Sequence, residues 1–468
     1  MTTRSVARGP AMQALRESIA GSVLAPGDAG YDQTRSVWNG RFDRRPDVIV
    51  RCRTAEDVSL AVNFARDLGL SVSVRGGGHS YAGKSIDDGG LLVDLSLMKT
   101  IHIDANGRTV DVGAGVTCGE LDQATQEHGL ATPLPTVSSV GVAGAALGGG
   151  SGYLSRKHGL TLDNLISVDL VTADGRQLRA SEEHHADLFW AIRGAGANFG
   201  VATSMRLRLH EVGPQVLAGQ IIYPFDRAGE LLRFFRDYMA EAPDELQCYP
   251  FMFRIPPIEA FPERYHGQPA LDFVLCHLDP DAVDVVQPLR ALGEPILDTV
   301  GPLAYTAVQQ GFDANLPKGQ RYFSRAHDLD GLSDATIDAV TAHVPDMQGA
   351  LSVAYFEPLG GAVGRFDPSA TPFAGRTTSF GFHVLGGWVD AAEDEAVMRW
   401  ARTFHQALAS CATGGVYVNV LGDDEDDRVA AAYGGNYPRL VELKTRWDPD
   451  NLFRMNYNIR PHSSQEPG

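Results

Sequence analysis

The stretch Ser71–Ser85, SVSVRGGGHSYAGKS, carries an apolar strand straight into three consecutive glycines and then a histidine. Such a run leaves the backbone bare where a β-strand ends. Without Cβ atoms, successive N–H groups can approach a ligand closely or take positive φ. Two readings stand at this point: a turn that needs positive φ, or a nest of N–H groups for an anion such as a diphosphate. The flanking pattern is a βαβ unit. Val48–Val50 is a predicted strand, and Thr54 is a predicted N-cap with Asp57 three residues on. Val58, Ala61, Val62, Ala65 and Leu68 then recur at helical spacing, and Gly69 stands at the helix end. Val72–Val74 is the second strand and residues 90–95 the next, and Asn106-Gly107 marks a hairpin turn.

The chain has 468 residues, enough for two or three folding units. Its formal net charge of -18 and its lack of basic clusters argue against nucleic acid and anionic membranes as partners. No apolar run reaches the ~20 residues of a membrane span. The N-terminal residues have no apolar core of a secretory leader. Five scattered cysteines, without CxxC spacing, argue against a disulfide framework or a zinc site. A cytoplasmic location with reduced thiols is expected. No metal site is expected: His184-His185 diverge on a helix start, and the acids at 423–427 lack the EF-hand pattern and read as a solvated acidic loop.

Two further glycine clusters accompany the first. Gly141, Gly144, Gly148, Gly149, Gly150 and Gly152 fall within twelve residues, and Gly194, Gly196 and Gly200 form a third set. The third set superficially matches a dinucleotide fingerprint, but it follows a helical segment rather than a strand, which excludes that reading. Several separate glycine-rich contacts imply a long, extended ligand, and FAD fits that description better than NAD. His79, placed directly after the first glycines, is then either an ordinary hydrogen-bonding residue or a nucleophile within reach of a bound ligand. From about residue 206 the texture changes to long amphipathic helices interleaved with strands, which predicts an α+β unit with an antiparallel sheet.

RGGGHSYAG resembles the flavin-attachment motif of the berberine bridge enzyme family, within the vanillyl-alcohol oxidase superfamily of FAD-linked oxidases. The resemblance extends through residues 46–83, 138–175 and 437–461, and so spans nearly the whole chain. It implies an α+β fold with a bipartite PCMH-type FAD-binding domain, residues 1–205 and 415–468. A substrate domain, 206–414, is implied over it, an antiparallel sheet backed by helices. It implies FAD attached through His79, with Gly76, Gly77, Gly78 and Ser80 at the pyrophosphate; Arg75, at the head of the glycine nest, is a candidate for the same diphosphate. Ser138, Ser139, Gly141, Gly144, Gly149, Gly152 and Val201 would line the rest of the cofactor, with Asn456 and Asn458 near the ring. Where many family members carry a second flavin-linked cysteine in a CPTVG-like stretch, this chain has LPTVSSVGVAG, and Cys118 stands about twenty residues too early. A single link, as in bacterial single-link members, is therefore expected.

Oxidation at a flavin requires a base, and a tyrosine serves if nearby charge lowers its pKa. Tyr417 is the first candidate, with Asn419 two residues on along an expected strand; Tyr81 and His383 follow. The expected function is an oxidase that takes a hydride from a C–H next to O or N and passes electrons to O2, forming H2O2. The alternatives are a dehydrogenase or tailoring enzyme of secondary metabolism with poor O2 reactivity, or a flavin-binding protein without turnover. Sugar, alcohol, amine and polyketide substrates all remain open.

Overall fold

The computed structural model describes residues 3–462. The βαβ unit forms as its sequence dictates. Thr54 Oγ1 accepts from the Asp57 amide, and the Asp57 carboxylate accepts from the Thr54 amide, so the helix Ala55–Leu68 begins in a full capping box. Gly69 ends it in the left-handed region at φ 64°. The strands Val48–Arg51 and Val72–Arg75 flank Leu91–Asp94, both parallel to it, and Ser22–Leu24 adds an antiparallel edge.

A second, antiparallel sheet of five strands follows, in the order Ile101–Asp104, Thr109–Gly113, Val201–Arg208, Leu165–Val171, Gln177–Ser181. Its first hairpin falls where Asn106-Gly107 placed it. The link, however, has four residues and not two, and the positive φ is carried by Arg108 at 48°. The amide of Gly107 instead donates to Asp104, closing an Asx-type turn. The strand Val201–Arg208 runs three residues past the expected boundary at 205 because it stays paired with Thr109–Gly113 to its end.

The remaining sheet is antiparallel and large. It runs Leu297–Asp298, Gln215–Pro224, Pro269–His277, Leu246–Arg254, Val353–Pro358, Phe380–Trp388, Arg321–Leu329, with Gly301–Ala304 also paired to Gln215–Pro224. Alternation divides its two faces. Leu271, Phe273, Phe356, Phe382 and Val384 pack under the helices Ala228–Glu241, Asp334–His343 and Asp394–Leu408. Residues of the opposite parity face the glycine-rich half of the molecule.

Two segments depart from expectation. GGVYVNV is not a strand: Tyr417 caps a short 3-10 turn, Val418–Val420, because the chain here lies against the second glycine cluster instead of a sheet edge. The acids at 423–427 are not a solvated loop. Asp423 pairs with Arg41, Asp424 with Arg325 and Arg402, Glu425 with Arg428 and Asp426 with Lys84.

The segment after 358 is tied to the glycine-rich half by a buried ion pair. Arg376 donates two bonds to Asp163, at 2.6 and 2.8 Å, and both side chains are fully buried. Removing one partner leaves an uncompensated charge in the interior. Arg376→Met is expected to cost about 3–5 kcal/mol and to lower the thermal midpoint. The double variant Arg376→Met/Asp163→Leu should recover most of that loss.

Candidate active site

A cavity of about 770 Å³ lies between the glycine-rich loops and the open face of the large sheet, within the range of small-molecule sites. Gly76, Gly77, Gly78, His79 and Ser80 line one side together with Gly141, Gly144, Gly200 and Val201. The amides of Gly77, Gly78 and His79 donate to no backbone or side-chain group among the described residues. They are therefore available to an anion. Gly144 faces open space, with nothing within 4 Å of an added Cβ.

His79 is half-buried at this rim. Its Nε2 lies 2.7 Å from Ser139 Oγ, and its ring stacks on Trp38 at 4.7 Å. Burial, with the Lys318 charge adding to it, pushes its pKa down to about 3, so the imidazole is neutral at physiological pH. A neutral imidazole, fixed by stacking and a hydrogen bond, is a nucleophile. Cys118, by contrast, is fully buried in the core behind the loop, and burial pushes its thiol up.

The large sheet supplies the facing wall. Tyr249, Phe251, Tyr355, Glu357 and His383 all project into the cavity. His383 Nε2 lies 3.1 Å from Glu357 Oε2, and the ring stacks on Tyr355 at 4.5 Å. The other Glu357 oxygen accepts from Ser151, which reaches across from the second glycine cluster.

Tyr417 and Asn419 meet despite the missing strand. The Tyr417 oxygen accepts from the Gly150 amide at 2.7 Å and from Asn419 Nδ2 at 2.8 Å. A phenolic oxygen has two lone pairs, and both are used, so its proton is free to be donated. Burial drives the Tyr417 pKa upward and that of Tyr81 to about 12. The condition expected of a tyrosine base, a pKa lowered by neighbouring charge, is therefore not met. Both hydroxyls are neutral hydrogen-bond donors.

Several residues expected at the cofactor are occupied elsewhere. Arg75 pairs with Asp94 at 2.8 Å and donates to the Thr34 carbonyl behind the loop. The hydroxyl and amide of Ser138 bind Asp313. Gly149 makes room for the Tyr417 ring and Gly152 for the Leu134 carbonyl, in each case under 3 Å from an added Cβ. Ser139 touches His79 rather than the cavity interior. Asn456 lines the cavity and has a buried Oδ1 without a partner, whereas Asn458, equally unpartnered at Oδ1, does not line it. Glu357, Tyr355 and Trp38 were not singled out by sequence. An acid standing alone on the cavity parity of an apolar strand is the signal that finds Glu357.

FAD fits this arrangement. Free amides suit its diphosphate, and the unpaired Asn456 Oδ1 suits the ring N–H of an isoalloxazine. Comparison with known proteins agrees. Residues 46–181 match the FAD binding domain family and residues 416–460 the berberine and berberine-like family. The chain is 34% identical to (R)-6-hydroxynicotine oxidase of Paenarthrobacter nicotinovorans, over 96% of this chain and 98% of that protein. This chain belongs to the berberine bridge enzyme-like FAD-linked oxidoreductases. The crystal structure of 6-hydroxy-D-nicotine oxidase from Arthrobacter nicotinovorans superposes with a TM-score of 0.86 at 31% identity, covering 95% of this chain and 99% of that one. BBE-like 1 of Physcomitrella patens gives 0.87 at 25% identity, covering 97% and 100%. As a berberine bridge enzyme-like protein, the chain is an FAD-linked oxidoreductase. Among the described residues no helix is long and apolar enough to cross a membrane.

Tyr417→Phe removes the donated proton and leaves the Gly150 amide without its acceptor. It is expected to lower kcat/KM by about 10²–10⁴-fold while the flavin remains bound. Stopped-flow reduction of the flavin over a range of substrate concentrations measures this. The wild-type rate should show no ionisation of Tyr417 or Tyr81 below pH ~10.

Proposed function

We propose that the chain is an oxidase with FAD attached through a single covalent bond to His79, and that it oxidises a C–H next to nitrogen or oxygen with O2 as the final acceptor. The observation that carries this reading is His79 itself. It is a neutral imidazole held between Trp38 and Ser139 at the end of the Gly76–Gly78 loop, inside the cavity. The absence of a cysteine in LPTVSSVGVAG, together with the burial of Cys118 behind the loop, supports a single link. The similarity to an oxidase named for 6-hydroxynicotine favours amines among the open substrate classes. The five thiols are free, which suits a reducing compartment, and we place the protein in the cytoplasm.

In this reading residues 3–208 and 415–462 form the cofactor unit, and the large antiparallel sheet with its helices forms the substrate unit. Gly76, Gly77, Gly78 and Ser80 hold the diphosphate, Gly141, Gly144 and Val201 line the rest of the cofactor, and Asn456 holds the ring edge. Bound FAD supplies the two-electron acceptor. The protein supplies position and proton transfer. Glu357 fixes the proton of His383 on Nε2, which leaves Nδ1 to accept a proton from the substrate heteroatom. Tyr417, its oxygen already saturated as an acceptor, donates toward the substrate or the ring, with Asn419 holding it in place. Tyr81, capped by the Trp38 edge at 5.5 Å, closes the site beside His79 and keeps water out.

Acid precipitation tests the cofactor chemistry directly. The washed pellet should stay yellow, and digestion should give the peptide containing Arg75–Lys84 with one flavin mass on His79 and none on Cys118. His79→Ala should release the flavin into the supernatant. Loose flavin from the wild type would sink the covalent reading and leave the family assignment intact.

A further inference from the structure

The wall facing the glycine-rich loops holds a carboxyl that the proton transfers above leave unused. Asp272 stands opposite Ile222 on one neighbouring strand and Phe251 on the other. The row continues through Tyr355 to His383. Residues in such a row project to one side of a sheet, and all five line the same cavity.

Asp272 is 4% exposed, and its Oδ1 is buried with no hydrogen-bond partner. Its cross-strand neighbours are hydrocarbon. Burial pushes its pKa up to about 8, and no cationic side chain among the described residues offsets this. A buried carboxyl without a partner costs stability, and native interiors rarely tolerate one. Glu357 on the same wall shows the ordinary solution, with one oxygen bonded to Ser151 and the other to His383. A group that weakens the fold and faces a binding cavity is one whose partner arrives with the ligand. Once ionised the group takes only donors, and a charged donor, which favours the ionised form, binds it most strongly.

The neighbouring surface suits the rest of such a ligand. Between Asp272 and the His383 end lie the stacked rings of Phe251 and Tyr355, 4.6 Å apart, with Phe312 packed 4.9 Å from Phe251. Two strand spacings separate Asp272 from Tyr355, about 10 Å. An elongated molecule with an apolar body can therefore touch both ends.

We propose that Asp272 is the subsite for a protonated amine on the substrate, so that the enzyme selects organic cations whose ammonium lies about 10 Å from the Tyr355–His383 end of the cavity. This rests on the oxidase reading and gives it a substrate class. The amine held at Asp272 is a recognition group, distinct from the C–H that is oxidised, and Asp272 is a specificity residue.

The holoprotein is titrated with 4-phenylbutylamine and, separately, with 4-phenylbutanol, following the flavin absorbance. The wild type should bind the amine about tenfold or more tightly than the alcohol. Asp272→Asn should remove that preference and leave the affinity for the alcohol within about twofold, at unchanged flavin content. Asp272→Leu should lose the preference as well, and should raise the thermal midpoint, since a buried unpaired carboxyl is replaced by hydrocarbon. If the Asn variant does not fold, the Leu variant carries the comparison. Equal binding of amine and alcohol by the wild type, or equal weakening of both in the variants, overturns the proposal. Material that carries no flavin overturns the oxidase reading instead, and ligand-induced thermal shift with the same two probes then still decides the role of Asp272.

Discussion

Gly77 and Gly141 lie backbone against backbone, and the site depends on that contact. A Cβ on Gly77 would stand 2.3 Å from the Gly141 amide nitrogen, and one on Gly141 would stand 2.4 Å from that of Gly77. No side chain can be added to either without moving the other's backbone. The contact brings together two loops far apart in sequence, and two further links lie beside it: a bridge between Thr117 and Gly141, and the hydrogen bond between Ser139 and His79. With the loops closed together, the free amides after Arg75 and the open side of Gly144 face one space. The glycines thus divide into those that let backbone meet backbone and those that leave room for a ligand. Gly152, against the Leu134 carbonyl, belongs to the first kind and Gly144 to the second, while Gly149 admits the ring of Tyr417.

Local rules made the first part of the chain readable. The capping box at Thr54 and Asp57, the stop at Gly69 and the strand on either side are each fixed by residues close in sequence, so their pattern survives folding unchanged. The α+β character of the second half was equally visible in its alternating strands and amphipathic helices. What resisted reading was decided across the fold. GGVYVNV alternates like a strand, yet the space above Gly148 and Gly149 holds Asn419 and Tyr417, and the chain turns to deliver them. Arg75 sits in the right loop for a phosphate, but the buried Asp94 on the adjacent strand takes its charge. Ser138 and Ser139 are adjacent in sequence, and only the fold tells which one meets Asp313 and which meets His79.

The acidic run at 423–427 shows the same limit in another form. Composition alone makes it a solvated loop. In the fold its carboxylates reach Arg41 and Lys84 from the first part of the chain and Arg325 from the large sheet. Glu425 is itself buried, and one of its oxygens also accepts from the Gly422 amide at 2.8 Å. Exposed single pairs of this kind contribute little, but here several converge on one short segment beside Tyr417 and Asn419. Their effect is positional. They hold the returning chain against the glycine-rich half, and so fix the hydroxyl that projects into the cavity.

The two acids of the cavity wall differ because of where they stand in the sheet. Glu357 lies on the strand beside His383, one row from it, within reach of Ser151 on the second glycine cluster. Its partners come from both sides of the cavity, so it joins the glycine-rich half to the sheet. Asp272 lies two strands further out, beyond the reach of those loops, and Phe251 and Tyr355 stand between it and the histidine. An acid at the first position is satisfied by the protein, which bonds one oxygen to Ser151 and the other to His383. An acid at the second is not: its strand partners are Ile222 and Phe251, and its Oδ1 has no hydrogen-bond partner. The same sheet, by register alone, therefore presents one carboxyl with partners on both sides of the cavity and the other with a buried oxygen that has none.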